Sequence, residues 1–320
     1  MAADTLPVNL SIIIVNWNSR DYLRRCLDSL RRHSPETDRE VIVVDGGSFD
    51  GCDRMLAEEF PEVRFIQSPD NVGFARANNL GFRHASGRHI LFLNPDTEFH
   101  EDSPRILCER LDSLPGAGAV GCRLLNRDGT LQGSCVQSFP TAVNQMLDSE
   151  YLRSCFPRSR LWGTAALHAG ERDPAEVEAI SGACLLARRA GFERVGGFSE
   201  AYFMYGEDLD LCFKLRRAGE KVYYVPETSV THFGGGSSAS AAADFSTIMM
   251  RESVFQFMRW NRGEMAAWGY RLGMLASALI RLIFIGPMLL FGHRVVRHGR
   301  GSLGKWCAVL RWSVGAWKAT

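Results

Sequence analysis

A chain of 320 residues and 35.7 kDa is long enough for one large core or two adjoining units. Its 46% hydrophobic and 23% charged residues exclude disorder, collagen-like repetition and a polytopic membrane protein, and a net charge of +1 excludes an overall basic nucleic-acid binder. That average hides an asymmetry, because after Glu264 the chain has eight basic residues and no acidic one, so the first 264 residues carry −7. Nine cysteines without a CxxC pair fit buried thiols in a reducing compartment better than a disulfide framework or a zinc site. The first apolar run is too short for a signal peptide and no basic stretch precedes it, so secretion is not expected.

In chain order, short branched apolar runs at residues 10–15, 41–44, 63–66, 89–93 and 119–124 alternate with helical patterns. This is the βαβ rhythm of a mainly parallel α/β sheet flanked by helices. Ligands of open α/β sheets bind beyond the carboxyl ends of strands, so Asn16-Trp17-Asn18, Asp45-Gly46-Gly47-Ser48 and Asn94-Pro95-Asp96 are expected to gather on one rim. Residues 126–179 read as irregular structure. A strand at 182–187, a helix at 208–218 ended by Gly219, and a strand at 221–225 follow, then a Gly/Ser-rich loop at 234–240.

The last segment has another character. Residues 272–292 are almost wholly apolar and long enough to span a bilayer, but Arg281 would carry an insertion penalty of roughly 2.5–3.5 kcal/mol and Pro287 would kink a helix. Trp306, Trp312 and Trp317 with Lys305, Arg311 and Lys318 resemble an interfacial amphipathic helix. The expectation is a catalytic domain over 1–240, with parts 1–125 and 126–240, followed by a basic helical region over 241–320 that associates with a membrane. The alternative is a helical pair packed against protein.

Several residues could carry chemistry, each with a plainer reading beside it. Asp45 at a strand end can accept from a base or sugar donor, or simply form an Asp-Gly turn. The loop Asn71-Val72-Gly73-Phe74 leads into a helix whose first turn offers Arg76 to an anion, while Asn78 and Asn79 could merely bond locally. Asp96 presents a hard carboxylate suited to Mg²⁺ or Mn²⁺ on a diphosphate, or belongs to a plain turn, and His232 could supply an imidazole to the same ion or be structural. Glu207 and Asp208 either compensate a helix dipole or present a general base to a substrate hydroxyl.

Taken together, residues 11–18, Val43-Val44-Asp45-Gly46-Gly47-Ser48-Phe49-Asp50-Gly51, Asn71-Val72-Gly73-Phe74, Asn94-Pro95-Asp96 and Gly206-Glu207-Asp208 resemble the family 2 inverting glycosyltransferases of GT-A fold, over residues 10–238. Within that family the chain looks most like the rhamnosyltransferase-type members. The resemblance implies that Asn16, Asp45, Gly73 and Arg76 hold the nucleotide-sugar, with Ser181 and Gly182 lining the sugar or acceptor pocket. It further implies that Asp96 and His232 hold Mg²⁺ or Mn²⁺, that Asp208 is the base and that Glu207 supports it. Asn94 departs from a fuller DxD pattern and leaves fewer negative ligands.

The implied reaction transfers a sugar, with L-rhamnose from dTDP-rhamnose as first choice, to a saccharide or polyprenyl-diphosphate-linked acceptor. It would occur at the cytoplasmic face of the cell membrane during polysaccharide synthesis, with no nucleic-acid partner. The competing readings are a catalytically inactive scaffold of polysaccharide assembly and a sugar nucleotidylyltransferase. A dinucleotide-dependent oxidoreductase is disfavoured because no GxGxxG follows the first strand.

Overall fold

The computed structural model describes residues 9–35, 37–168, 172–234, 243–288 and 293–316. It has two compact units, one comprising residues 1–139, 158–203 and 207–237, the other residues 140–157, 204–206 and 238–320.

The first unit is built on a mixed sheet. Its strands are β1 (Leu10–Asn16), β2 (Arg39–Asp45), β3 (Arg64–Gln67), β4 (His89–Leu93), β5 (Thr97–Phe99), β6 (Ala117–Leu125), β7 (Val136–Gln137), β8 (Ala175–Val177), β9 (Ala179–Ile180), β10 (Cys184–Arg188) and β11 (Lys221–His232). The order is β3-β2-β1-β4-β10-β6-β11-β5, with β8 beside β11, while β7 and β9 form a separate pair. Strands β1 to β4 are mutually parallel, and β10 enters antiparallel between β4 and β6. This is the expected GT-A-like α/β arrangement.

Full burial of β1 and β4 explains their largely apolar sequences, since helices cover both faces of such a sheet. The helices α1 (Arg20–His33), α2 (Cys52–Glu59), α3 (Phe74–Phe82) and α4 (Ser103–Ser113) follow in the first half. Helix α1 buries Leu23, Cys26, Leu27 and Leu30 at helical spacing. Helix α3 lies so close to β1 that a β-carbon on Gly81 would come within 2.6 Å of Ile13. Chain direction leaves β1 toward β2 on one side and β4 on the other, which makes the carboxyl ends of β1 and β4 a topological switch point.

Residues 126–179 hold short elements rather than none, including α5 (Ala142–Leu147) and α6 (Glu150–Cys155). Then come α7 (Arg189–Arg194) and α8 (Glu207–Arg217). The last strand runs on to His232 instead of ending near residue 225, because its second half pairs with β5 after a register break between Val225 and Ser229. Pro226 and Glu227 at that break hide the continuation from a reading of apolar runs. Most of the Gly/Ser-rich stretch, 235–240, lies outside the described residues.

The second unit gathers α5 with α9 (Ala243–Arg262), α10 (Glu264–Met288) and α11 (His293–Ser313). Here the expected membrane-associated segment is corrected. Among the described residues no helix is long and apolar enough to cross a membrane. Trp306 and Trp312, 7% and 2% exposed, are core residues packed with Phe255, Tyr270 and Met274 rather than displayed at an interface. Arg281 donates to the carbonyls of Met146 in α5 and of Asp148 just after it and to Ser277 Oγ, and stands 4.2 Å over the Trp306 ring. Positive charge inside an apolar stretch is thus a helix C-cap and a cation–π contact. Residues 289–292, Trp317 and Lys318 lie outside the described residues.

Candidate active site

The carboxyl rim begins with Asn16 and Asp45, paired directly by the register of β1 and β2 and both fully buried. Asp45 accepts from Asn16 Nδ2 at 2.8 Å, Gln67 Nε2 at 2.7 Å, the Ser48 amide at 3.0 Å, the Phe49 amide at 3.4 Å and the Ser48 hydroxyl. Burial alone would raise its pKa, but the donors of Ser48, Gln67, Asn16 and Phe49 outweigh it and hold the carboxyl below the usual aspartate range. Asp45 therefore shapes the 46–50 loop, and a further donor would share or displace one of these bonds. Asn16 Oδ1, by contrast, is a buried acceptor with no hydrogen-bond partner.

Asp50 organises the same corner by capping two helices, accepting the Arg20 amide at 2.9 Å and the Cys52 amide at 3.1 Å. Ligand atoms of Asp45, Asp50 and Cys52 lie within 4.8 Å of one another. Both carboxylates are engaged by hydrogen-bond donors, and burial pushes the Cys52 thiol far above its ordinary range.

The helix start at Gly73 needs glycine. Its φ is +83°, and a β-carbon would lie 2.3 Å from the Phe203 carbonyl, which accepts the Phe74 amide at 2.8 Å. Arg76 turns to Glu200, bonding its carbonyl at 3.2 Å. Among the described residues no hydrogen bond or ion pair links Arg76 to Asp45, Asp96 or Asp208. Asn79 exchanges two bonds with the Phe198 backbone, so it ties α3 to the 198–200 loop.

Asp96 and His232 are brought together by the sheet. The β5–β11 ladder sets His232 opposite Thr97, and the Phe233 amide donates to the Asp96 carbonyl at 2.9 Å. His232 Nε2 then faces Asp96 Oδ1 at 3.4 Å, with the Asp96 side chain 5% exposed. Asn94 Nδ2 lies 3.2 Å from the same Nε2. On the other side of the ring Gln132 Oε1 is 3.0 Å from Nδ1, and Gln132 Nε2 donates to the His232 carbonyl at 2.6 Å. A carboxylate oxygen and an imidazole nitrogen facing each other on one rim form a donor set that fits a divalent cation.

Asp208 opens α8 after a turn in which Tyr205 and Gly206 have φ of +66° and +83°. Its Oδ2 accepts the Gly182 amide at 2.9 Å and its Oδ1 the Leu209 amide at 2.8 Å. Gly182 belongs to the Ser181-Gly182-Ala183 turn, whose Ser181 amide donates to the Cys135 carbonyl and whose Ala183 carbonyl accepts the Asn94 amide at 3.0 Å. One backbone turn thus connects Asp208 to the Asn94-Pro95-Asp96 turn. Burial raises the Asp208 pKa against the opposing Gly182 and Leu209 amides. Glu207 is buried with one carboxylate oxygen unpartnered, and burial followed by the adjacent Asp208 charge raises its pKa strongly.

The rim therefore joins Asn16 with Asp45, and Asp96 with His232, and connects Asp208 through Gly182 and Ala183 to Asn94. Gln67 and Gln132 escape a reading of the sequence, and Asp50 stands in a quoted motif without a role assigned to it. The Asp-Gly-rich loop could have signalled Asp50, but no local pattern marks Gln67 or Gln132.

The family model described as Glycosyl transferase family 2 matches residues 11–174. The N-acetylglucosaminyl-diphospho-decaprenol L-rhamnosyltransferase of Mycobacterium tuberculosis (strain ATCC 25618 / H37Rv) is 34% identical over 245 residues, covering 72% of this chain and 76% of that protein. Rhamnosyltransferase WbbL of Escherichia coli (strain K12) is 27% identical over 233 residues, covering 69% and 82%. Among solved structures, mannosyltransferase PcManGT from Pyrobaculum calidifontis in complex with GDP-Man and Mn²⁺ superposes with a TM-score of 0.59 at 16% identity, over 97% of this chain and 87% of that one. GalNAc-T7 with UDP, GalNAc and Mn²⁺ gives 0.55 at 16% identity over 72% of this chain, which spans only 44% of that protein. Likeness at this identity concerns the fold alone.

Proposed function

This chain belongs to glycosyl transferase family 2, and from that premise we propose that it transfers L-rhamnose from dTDP-rhamnose to a saccharide or polyprenyl-diphosphate-linked acceptor, with inversion. As a family member it is a glycosyltransferase using a nucleotide-sugar in polysaccharide synthesis. The choice of rhamnose draws on two relatives named as rhamnosyltransferases, and the lipid-linked acceptor on the diphospho-decaprenol in one of those names. Such an acceptor would put the reaction at the cytoplasmic face of the cell membrane.

The observation that carries the reading is the Asp96–His232 pair, 3.4 Å apart on the rim that Gly182 and Ala183 connect to Asp208. Asp96 and His232 would hold Mg²⁺ or Mn²⁺, which when bound stabilises negative charge on the departing diphosphate. Asp208 takes the acceptor hydroxyl proton while the acceptor oxygen bonds to the anomeric carbon. The bond from that carbon to the diphosphate breaks in the same displacement, and its electron pair leaves with the diphosphate oxygen. Gly182 and Leu209 amides fix the orientation of the Asp208 carboxylate, and Asn16 with the Asp45-ordered loop would receive the nucleotide base. The nucleotide-binding and acceptor roles within residues 1–240 belong to this proposal.

The test is a panel of nucleotide-sugars with Mn²⁺ or Mg²⁺ and saccharide or polyprenyl-diphosphate acceptors, read as released nucleoside diphosphate and glycosylated product. Transfer from dTDP-rhamnose that stops on chelation is expected. Transfer from another donor only would replace the rhamnose assignment, and silence with every donor would favour the inactive scaffold.

A further inference from the structure

Gln132 is not part of any motif, yet both ends of its side chain are committed to His232. Its backbone is held as well, with the amide donating to the Leu124 carbonyl of β6 at 2.8 Å and the carbonyl accepting the Cys135 amide at 3.2 Å. The return from β6 is a tight turn over 126–130, closed by the Asn126 amide on the Thr130 carbonyl at 2.7 Å. The side-chain amide therefore starts from a fixed anchor.

Hydrogen-bond polarity then sets the chemistry of the ring. The His232 carbonyl can only accept, so the Gln132 atom 2.6 Å from it must be the NH₂ group. This turns the Gln132 carbonyl oxygen toward His232 Nδ1 at 3.0 Å, and an oxygen acceptor requires a proton on that nitrogen. In the neutral ring the proton on Nδ1 leaves Nε2 with a free lone pair. The Asn94 side-chain amide, 3.2 Å from Nε2, agrees, since its NH₂ group can donate to an unprotonated nitrogen. Nε2, which accepts from Asn94, and Asp96 Oδ1 are then two acceptors 3.4 Å apart, and a cation taking both as ligands would displace the Asn94 donor.

We propose that Gln132 is a positioning residue that fixes His232 as the Nδ1–H tautomer, so that the Nε2 lone pair and Asp96 preset a divalent-cation site. This rests on the metal-dependent transferase reading but concerns the ring itself, and it can be read without donor, acceptor or turnover. The outer partner of a ligating imidazole commonly changes metal affinity by roughly 10–100-fold when removed.

The experiment uses the full chain labelled with ¹⁵N-histidine, metal-free and at a pH where the ring is neutral, with His232 assigned through His232→Asn. In the parent, Nδ1 should show the protonated and Nε2 the unprotonated signature. Gln132→Met should lose that fixed tautomer and weaken Mn²⁺ binding, followed by electron paramagnetic resonance, by roughly 10–100-fold. A parent ring protonated on Nε2, or a Gln132→Met protein whose tautomer is unchanged, would overturn the proposal. A parent that keeps the Nδ1–H tautomer but binds no Mn²⁺ would instead overturn the metal reading of the site, and with it the cation part of this proposal.

Discussion

Asp208 accepts the backbone N–H of Gly182 at 2.9 Å, joining the first turn of α8 to the turn before β10 across 26 positions of chain. The bond aims a carboxylate that no motif could aim by itself. It also keeps Asp208 attached to the Asn94-Pro95-Asp96 turn, because the next carbonyl, that of Ala183, receives the Asn94 amide. A general base must sit within hydrogen-bond reach of the hydroxyl it deprotonates, and this backbone contact limits its wandering.

Asp208→Asn removes the base and keeps an oxygen that can accept the Gly182 amide. The variant is expected to fold, bind donor and lose transfer by roughly 10²–10⁴-fold, with the loss in kcat. Steady-state kinetics beside a donor-binding titration would check this, and near-parental turnover would remove Asp208 from the mechanism.

Glu207 should make stability depend on pH in a definite direction. Burial and the neighbouring Asp208 raise its folded pKa above the unfolded value of about 4.3. The folded state then binds more protons than the unfolded one, so the contribution is fully present below the unfolded pKa and is lost as pH rises through the folded pKa. Glu207→Gln removes the ionisation. Its Tm relative to the parent should climb between acid and alkaline pH, by roughly 2–4 °C for each kcal/mol relieved. A pH-independent difference would show that Glu207 ionises as an ordinary carboxylate.

Arg281→Leu discriminates a packed helical unit from a lipid-facing one. The substitution makes α10 more apolar, which a bilayer would favour, but it removes the donors to Met146 and Asp148 and the Trp306 contact. A loss of roughly 1–3 kcal/mol is expected, from hydrogen bonds of a charged group and a partly buried cation–π pair. Urea unfolding followed by tryptophan fluorescence would measure it, and unchanged or increased stability would refute the packing role.

The positions of the first strands along the chain and the polar residues that follow them were legible because they follow from local rules. Buried parallel strands read as unbroken apolar runs, and the polar residues after them must lie at the carboxyl edge. Residues 10–15 and 41–44 fall inside β1 and β2, and β4 matches His89–Leu93. The fate of the last eighty residues was not legible. The same apolar helix with an internal arginine serves lipid or protein, and the choice lay in partners such as the Met146 and Asp148 carbonyls and Trp306.

The amino-acid sequence by itself determined the α/β rhythm and the motif order, since periodicity and turn chemistry act over a few residues. Only the tertiary structure decided which polar groups meet. Asp96 meets His232 because an antiparallel ladder sets residues 97 and 232 opposite each other, and Gln132 reaches the ring from a turn about 100 residues away. Hydrogen bonds between such distant groups depend on strand register and chain return, which no window of sequence contains.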